Sequence, residues 1–215
     1  MPATGKEYGL NIDYHCDDRC DPEKSTEAAA QYLLRAYDRF GDWALALAAY
    51  NSGSGRVSRA IKRAHSKDFW SVQKYLPKET RNYVPAFIAA TYLMNHYEKH
   101  DLYPRYPHLD IQITETVTVY GNLDFHTIAQ VTGTPMDIIE MLNPVFSRAK
   151  VPASTYGRKV TLPKRTAPRL VRYVEAQRPD YQGSIDDIVL HPVYFTTPPE
   201  MQDANLYMQT LYTVQ

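Results

Sequence analysis

The chain has 215 residues, enough for one sizeable core or two modest ones. Lys plus Arg and Asp plus Glu both number 24, so no basic excess argues for a nucleic-acid partner. No apolar run reaches membrane-spanning length, and the first residues carry no secretory-signal pattern.

The first strong helical signal is "DPEKSTEAAAQYLLRAYDRFG". Asp21 suits the cap, Pro22 the first helical position and Gly41 the residue just past the end. Ala29, Tyr32, Leu33, Ala36, Tyr37 and Phe40 recur at helical spacing and predict the inward face. Asp42 is placed to cap a second helix, "WALALAAY", whose small residues permit close helix approach. "RVSRAIKRAH" predicts a third, with Val57, Ile61 and Ala64 inward. A longer helical pattern begins at Lys78, and Pro85 predicts a kink or break near Val84. Residues up to about His100 thus read as helical.

The helical period is lost in "DLYPRYPHLD", which predicts a linker over roughly 101–113. "TETVTVY" then alternates as a strand. "DFHTIAQVTG" and "PMDIIEMLNP" read as two short helices, and "GRKVTLP" as a second strand. The β-α-α-β unit spans 114–164. Residues 165–210 are rich in proline and predict a connecting segment with one short helix near Leu170 to Gln177. The fold class is α+β, mostly helical.

Three stretches bear on chemistry. Cys16 and Cys20 in "CDDRC" lie beside His15, too few ligands for a four-coordinate metal site. Their spacing leaves a local disulfide or two thiols open. In "AAYNSGSGRV" a helix rather than a strand precedes the glycines, and no Lys-Ser or Lys-Thr follows them. This pattern argues against a phosphate loop, and the glycines are expected to supply positive φ at a helix end. Tyr50 and Asn51 would sit at that end, Asn51 either as a simple cap or as a cleft-facing amide that both donates and accepts. The 18 tyrosines suit sugar-binding clefts and half-buried cores alike.

Four stretches in order, "MPATGKEYGL", "DPEKSTEAAAQYL", "ALAAYNSGSGRV" and "ETRNYVPAFIAA", resemble the catalytic domain of peptidoglycan lytic transglycosylases. Together they cover about residues 1–100. The closest subgroup is the membrane-bound murein transglycosylase D type, which joins this domain to LysM repeats. The resemblance implies a goose-type-lysozyme-like helical fold and non-hydrolytic cleavage of the MurNAc-GlcNAc bond to an anhydro-muramic product. It places Tyr50 and Asn51 on the glycan groove, Tyr83 beside the catalytic centre and Glu79 before it, with Met1 at the end of a groove-lining Met-Pro segment. The family's acid/base glutamate lies upstream of that segment. The expectation is thus a partial domain without its catalytic glutamate, inactive alone, with Tyr83 in a supporting role. On this reading Leu33, Leu45, Leu47 and Phe87 would face the absent half. The alternative is a non-catalytic peptidoglycan-binding module.

The β-α-α-β unit resembles a LysM module, with the usual Gly-Asp-Thr-Leu replaced around Gly121 to Phe125. "LYTVQ" at 211–215 resembles the opening strand of a further repeat. The resemblance implies glycan strands as partner, the cell envelope or periplasm as location, and neither cofactor nor metal.

Overall fold

The computed structural model describes residues 2–177 and 190–196. Met1, the 211–215 stretch and most of the connecting segment after Gln177 lie outside the described residues. The chain divides into two compact units, one of residues 1–10 and 22–105, the other of residues 11–21 and 106–215.

The first unit is helical. After α1 (Pro2–Glu7), α2 (Pro22–Phe40) begins at the proline. It ends at Gly41, whose φ of +70° needs a residue without Cβ strain. Ala36 and Phe40 are buried, whereas Tyr37 is exposed and stacks on Trp43, with ring centroids 4.4 Å apart. Asp42 caps α3 (Trp43–Ser52), accepting from the Leu45 backbone N–H at 2.7 Å. Leu45, Ala46, Ala48 and Ala49 are fully buried, because α3 is packed by α2, by α4 (Ser54–Ala64) and by α6 (Lys78–Asn95). Alanines on such a central helix let its neighbours close in without gaps. Leu45 therefore belongs to this unit's own core, contrary to the expectation that it faces an absent half. Leu33 and Leu47 are half-buried, and Phe87 is 49% exposed.

Gly53, at φ +89°, makes the reversal between α3 and α4, and its N–H donates to Ala49 O at 2.7 Å. Gly55 takes no positive φ and sits inside α4, so only one of the two glycines serves the turn. Val57 and Ala60 are buried on α4, with Ile61 and Ala64 half-buried beside them. Phe69 and Val72 of α5 (Phe69–Val72) and Leu76 complete this side of the core.

The helix α6 continues through Pro85, so of the expected kink or break the break does not occur. Pro85 lacks the N–H that would reach the Arg81 carbonyl one turn back. The Gln73 side chain supplies it instead, with Nε2 donating to Arg81 O at 2.8 Å. A polar group brought in from outside the helix thus satisfies the carbonyl that proline orphans.

The second unit holds α7 (Leu109–Gln112), β1 (Thr114–Val119), β2 (Leu123–Asp124), α8 (Phe125–Thr132), α9 (Met136–Leu142), β3 (Lys150–Val151), β4 (Arg158–Pro163) and α10 (Ala167–Ala176). β1 pairs antiparallel with β4 from Thr114↔Pro163 to Val119↔Arg158, and the short β2 and β3 pair with each other. Val117, Val119, Val160 and Leu162 point inward onto Phe125, Ile128, Ile139 and Leu170. Asp124 caps α8 through the Thr127 N–H at 2.8 Å. Asn143, almost fully buried, ties α9 to β4: its Nδ2 donates to Thr161 O and its Oδ1 accepts from Thr161 N.

Residues 109–112, within the stretch read from sequence as linker, form a short helix capped by the His108 side chain, and Asp110 in it is buried and held bidentately by Arg165, at 2.7 and 2.6 Å. The segment 11–21 packs with this unit through backbone bonds. Asp17 N donates to Val145 O, Ser147 N donates to His15 O, and Cys16 bridges Phe146. Both cysteines are thiols; Cys16 is buried in the core and Cys20 is exposed.

Candidate functional site

The sequence-predicted residues converge where the last turn of α3 meets the first turn of α6. Asn51 stands near the end of α3 and Glu79 near the start of α6. Asn51 Nδ2 donates to Glu79 Oε1 at 3.2 Å, and Asn51 Oδ1 accepts from the Thr80 hydroxyl at 2.8 Å. This arrangement fixes which way the amide faces. A carboxylate oxygen accepts, so the nitrogen must turn to Glu79 and the oxygen to Thr80. Thr80 is only 1% exposed, so its hydroxyl has few other partners to turn to. Asn51 therefore does not cap α3; it joins α3 to α6 and stays half-exposed.

Tyr50 lies beside it, 45% exposed. Its ring meets Tyr32 edge-on, with centroids 5.6 Å apart and planes at 81°. The Tyr32 hydroxyl donates to Ala49 O at 2.9 Å, which anchors that ring to α3. Tyr8, just after α1, also packs on Tyr32, with centroids again 5.6 Å apart. Tyr8, Tyr32 and Tyr50 thus form a row of ring contacts, and Asn51 follows Tyr50 in α3. Beyond Tyr8, Glu7 pairs with Arg35 at 2.8 Å. The Tyr8 hydroxyl and Glu7 hold the Arg35 guanidinium above its usual range.

Tyr83 is half-buried, one turn beyond Glu79 and so on the same side of α6. Met1 lies outside the described residues. Glu23 stands in the first turn of α2, and Glu27 accepts from Gln31 one turn along the same helix. Sequence reasoning assigned no role to Tyr8 or Thr80, and it placed Tyr32 only as an inward residue. The available signal was that Tyr8, Tyr32 and Tyr50 each fall in one of the four family-like stretches.

A separate hollow of about 630 Å³ opens along α6, lined by Trp70, Ile88, Tyr92 and Leu93 among others. It is apolar and offers few hydrogen-bonding groups. The tyrosine row combines flat rings with an oriented amide, a hydroxyl and a carboxylate. That combination suits a pyranose, whose C–H face stacks on rings while its rim hydroxyls and acetamido groups need donors and acceptors. Among the described residues, no cluster of His, Cys, Asp and Glu is arranged to hold a metal ion.

Comparisons with known proteins bear on both halves of the chain. Residues 1–73 match the Transglycosylase SLT domain family, and residues 113–178 match the LysM-like domain of lytic transglycosylase MltD. Membrane-bound lytic murein transglycosylase D of Escherichia coli K12 is 34% identical over 180 residues, covering 79% of this chain and 38% of the relative. Peptidoglycan transglycosylase gp16 of Escherichia phage T7 is 41% identical over 85 residues, covering 38% of this chain and 6% of the relative. The chain therefore spans 38% of the length of the first of these relatives.

Proposed function

The chain belongs to the lytic transglycosylase family, joining SLT-domain sequence to an MltD-type LysM-like domain, and from that premise we propose that the row Tyr8–Tyr32–Tyr50–Asn51 is one wall of a peptidoglycan groove. The reaction we assign is the family's: non-hydrolytic cleavage of the MurNAc-GlcNAc bond, leaving an anhydro-muramic end. The observation that carries this reading is the orientation of the Asn51 amide, fixed between Glu79 and Thr80 next to an exposed tyrosine. A wall fixed before the sugar arrives loses little freedom on binding.

In this reading Tyr50 and Tyr8 stack on sugar faces, and Asn51 bonds a hydroxyl or acetamido group. Glu79 holds the amide, and Tyr83 stands at the groove's end. The family chemistry needs a carboxyl that protonates the glycosidic oxygen and then deprotonates a hydroxyl of the muramyl sugar itself. Such a donor is kept in an apolar pocket. Glu79 is exposed and bonded to Asn51, so we assign it to positioning and place the proton donor outside the described residues.

The same observation keeps a second reading in view, a module that binds peptidoglycan without cleaving it. Either way the substrate implies the cell envelope, and we infer its periplasmic side. Among the described residues, no helix is long and apolar enough to cross a membrane.

The test is co-sedimentation of the chain with purified peptidoglycan, alongside Asn51→Ala and Tyr50→Ala. Both variants should lose most of the retained protein, and wild-type retention by both would overturn the groove. Mass spectrometry of the supernatant separates the two readings. Anhydro-muropeptides released by these residues alone would place the proton donor within them.

A further inference from the structure

The ring faces and the Asn51 amide carry no charge, but an ion pair stands next to the row. Glu7 precedes Tyr8 directly, and Arg35 lies three residues after Tyr32, close to the same face of α2. Each partner of the pair is thus held within one turn of a ring in the row. Arg35 Nη1 donates to Glu7 Oε1 at 2.8 Å, and the Tyr8 hydroxyl also bonds the guanidinium. The arginine side chain is 70% exposed and that of Glu7 57%. A guanidinium carries five N–H donors in a planar fork, so with Glu7 and Tyr8 engaged other donors remain beside the row.

We propose that Arg35 is a specificity-determining residue that recognises a carboxylate borne by the muramyl units of the bound strand. The proposal rests on the groove reading and extends it to what the groove selects. Stacking rings and a neutral amide respond to pyranose shape and acetamido groups, which an uncharged glucosamine polymer also offers. What distinguishes the peptidoglycan strand is negative charge on alternate sugars. That charge is either the free lactyl carboxylate or, where a stem peptide caps it as an amide, the carboxylates of the peptide. Arginine's fork matches a carboxylate in two parallel hydrogen bonds. Glu7 and the Tyr8 hydroxyl keep the fork in place and leave its remaining donors free for a ligand. It also repels carboxylates that approach without engaging the arginine.

The test is calorimetric titration of the whole chain with three oligosaccharides of equal length. One is a chito-oligosaccharide with no carboxylate, one a peptide-free glycan with lactyl carboxylates, and one a peptide-bearing glycan. Wild type should bind at least one carboxylate-bearing glycan about two- to fivefold tighter than the neutral one, the range of a solvent-exposed ion pair. Which of the two gains identifies the source of the carboxylate. Arg35→Gln should bring the three affinities together and leave the melting temperature nearly unchanged, as a surface substitution does. Glu7→Gln should widen the preference. Raising salt should erase it. Equal wild-type affinities, or a preference that survives Arg35→Gln, would overturn the assignment. If none of the three binds, the groove reading itself fails, and the Arg35 assignment fails with it.

Discussion

Thr80 is buried on α6 and donates its hydroxyl to Asn51 on α3 across 2.8 Å. The bond joins two helices and points an amide at the surface. Thr80→Val keeps the shape but leaves Asn51 Oδ1 without that donor. An abandoned polar partner costs about 1–3 kcal/mol. The first unit should lose roughly 4–8 °C of melting temperature per kcal/mol, and glycan binding should weaken with it as the amide becomes free to turn. Calorimetry and a binding isotherm on one preparation check both. A stable Thr80→Val variant with unaltered binding would separate the tie from the site.

Gln73 and Pro85 form a compensating pair. Gln73→Ala should cost about 1 kcal/mol, because Arg81 O loses its donor. Pro85→Ala restores a backbone N–H to that carbonyl. In the Pro85→Ala background the Gln73 substitution should therefore cost little. A double-mutant cycle by chemical denaturation reads the difference directly. Equal costs in both backgrounds would mean that Gln73 does not stand in for the missing donor.

In the second unit, Asp110 and Arg165 form a buried bidentate pair. Asp110→Ala removes the buried carboxylate that Arg165 grips and should destabilise that unit by about 3–5 kcal/mol. Replacing both residues together, Asp110→Leu with Arg165→Met, should recover most of the loss. Thermal melts of the single and double variants decide it, and a double variant no better than the single would count against the pair's role.

Asp13 shapes the segment 11–21. It accepts from Asn11 Nδ2 and from the backbone N–H groups of Cys16 and His15, all at 2.8 Å, and these bonds hold its carboxyl below the ordinary range. A carboxylate depressed in the folded state adds stability that is present above its unfolded value. That stability is lost as pH falls below about 4, through the lowered folded value. Asp13→Asn should thus be less stable than wild type at neutral pH, and the gap should close as pH falls through the lowered folded value. Melts from neutral pH down through that value test this, and a constant gap would contradict it.

Much of this architecture is legible in the sequence because it rests on local chemistry. Proline at the start of α2, Gly41 at its end and the Asp42 cap each act within a few residues, and their elements form where the pattern puts them. The strand pair β1–β4 and the two helices between follow the change from period two to helical spacing. What the pattern misses depends on distant partners. Pro85 does not break α6, because Gln73 satisfies the orphaned carbonyl, and a sequence window around Pro85 does not show that. The segment 11–21 belongs to the second unit largely through backbone bonds to 145–147, and backbone donors leave little trace in residue identity. At the candidate site, Tyr50, Asn51 and Glu79 are found from motif resemblance. Tyr8 and Tyr32 are missed, because one tyrosine taken alone reads as core.

The measurement that bears most directly on the groove is a nuclear magnetic resonance titration of the chain with a soluble peptidoglycan glycan oligomer. The account predicts progressive shifts of the Asn51 side-chain amide and of backbone signals around Tyr8, Tyr32, Tyr50 and Glu79. Tyr50→Ala should abolish them. Saturating binding that leaves those signals in place, or that moves only residues 106–177, would contradict it.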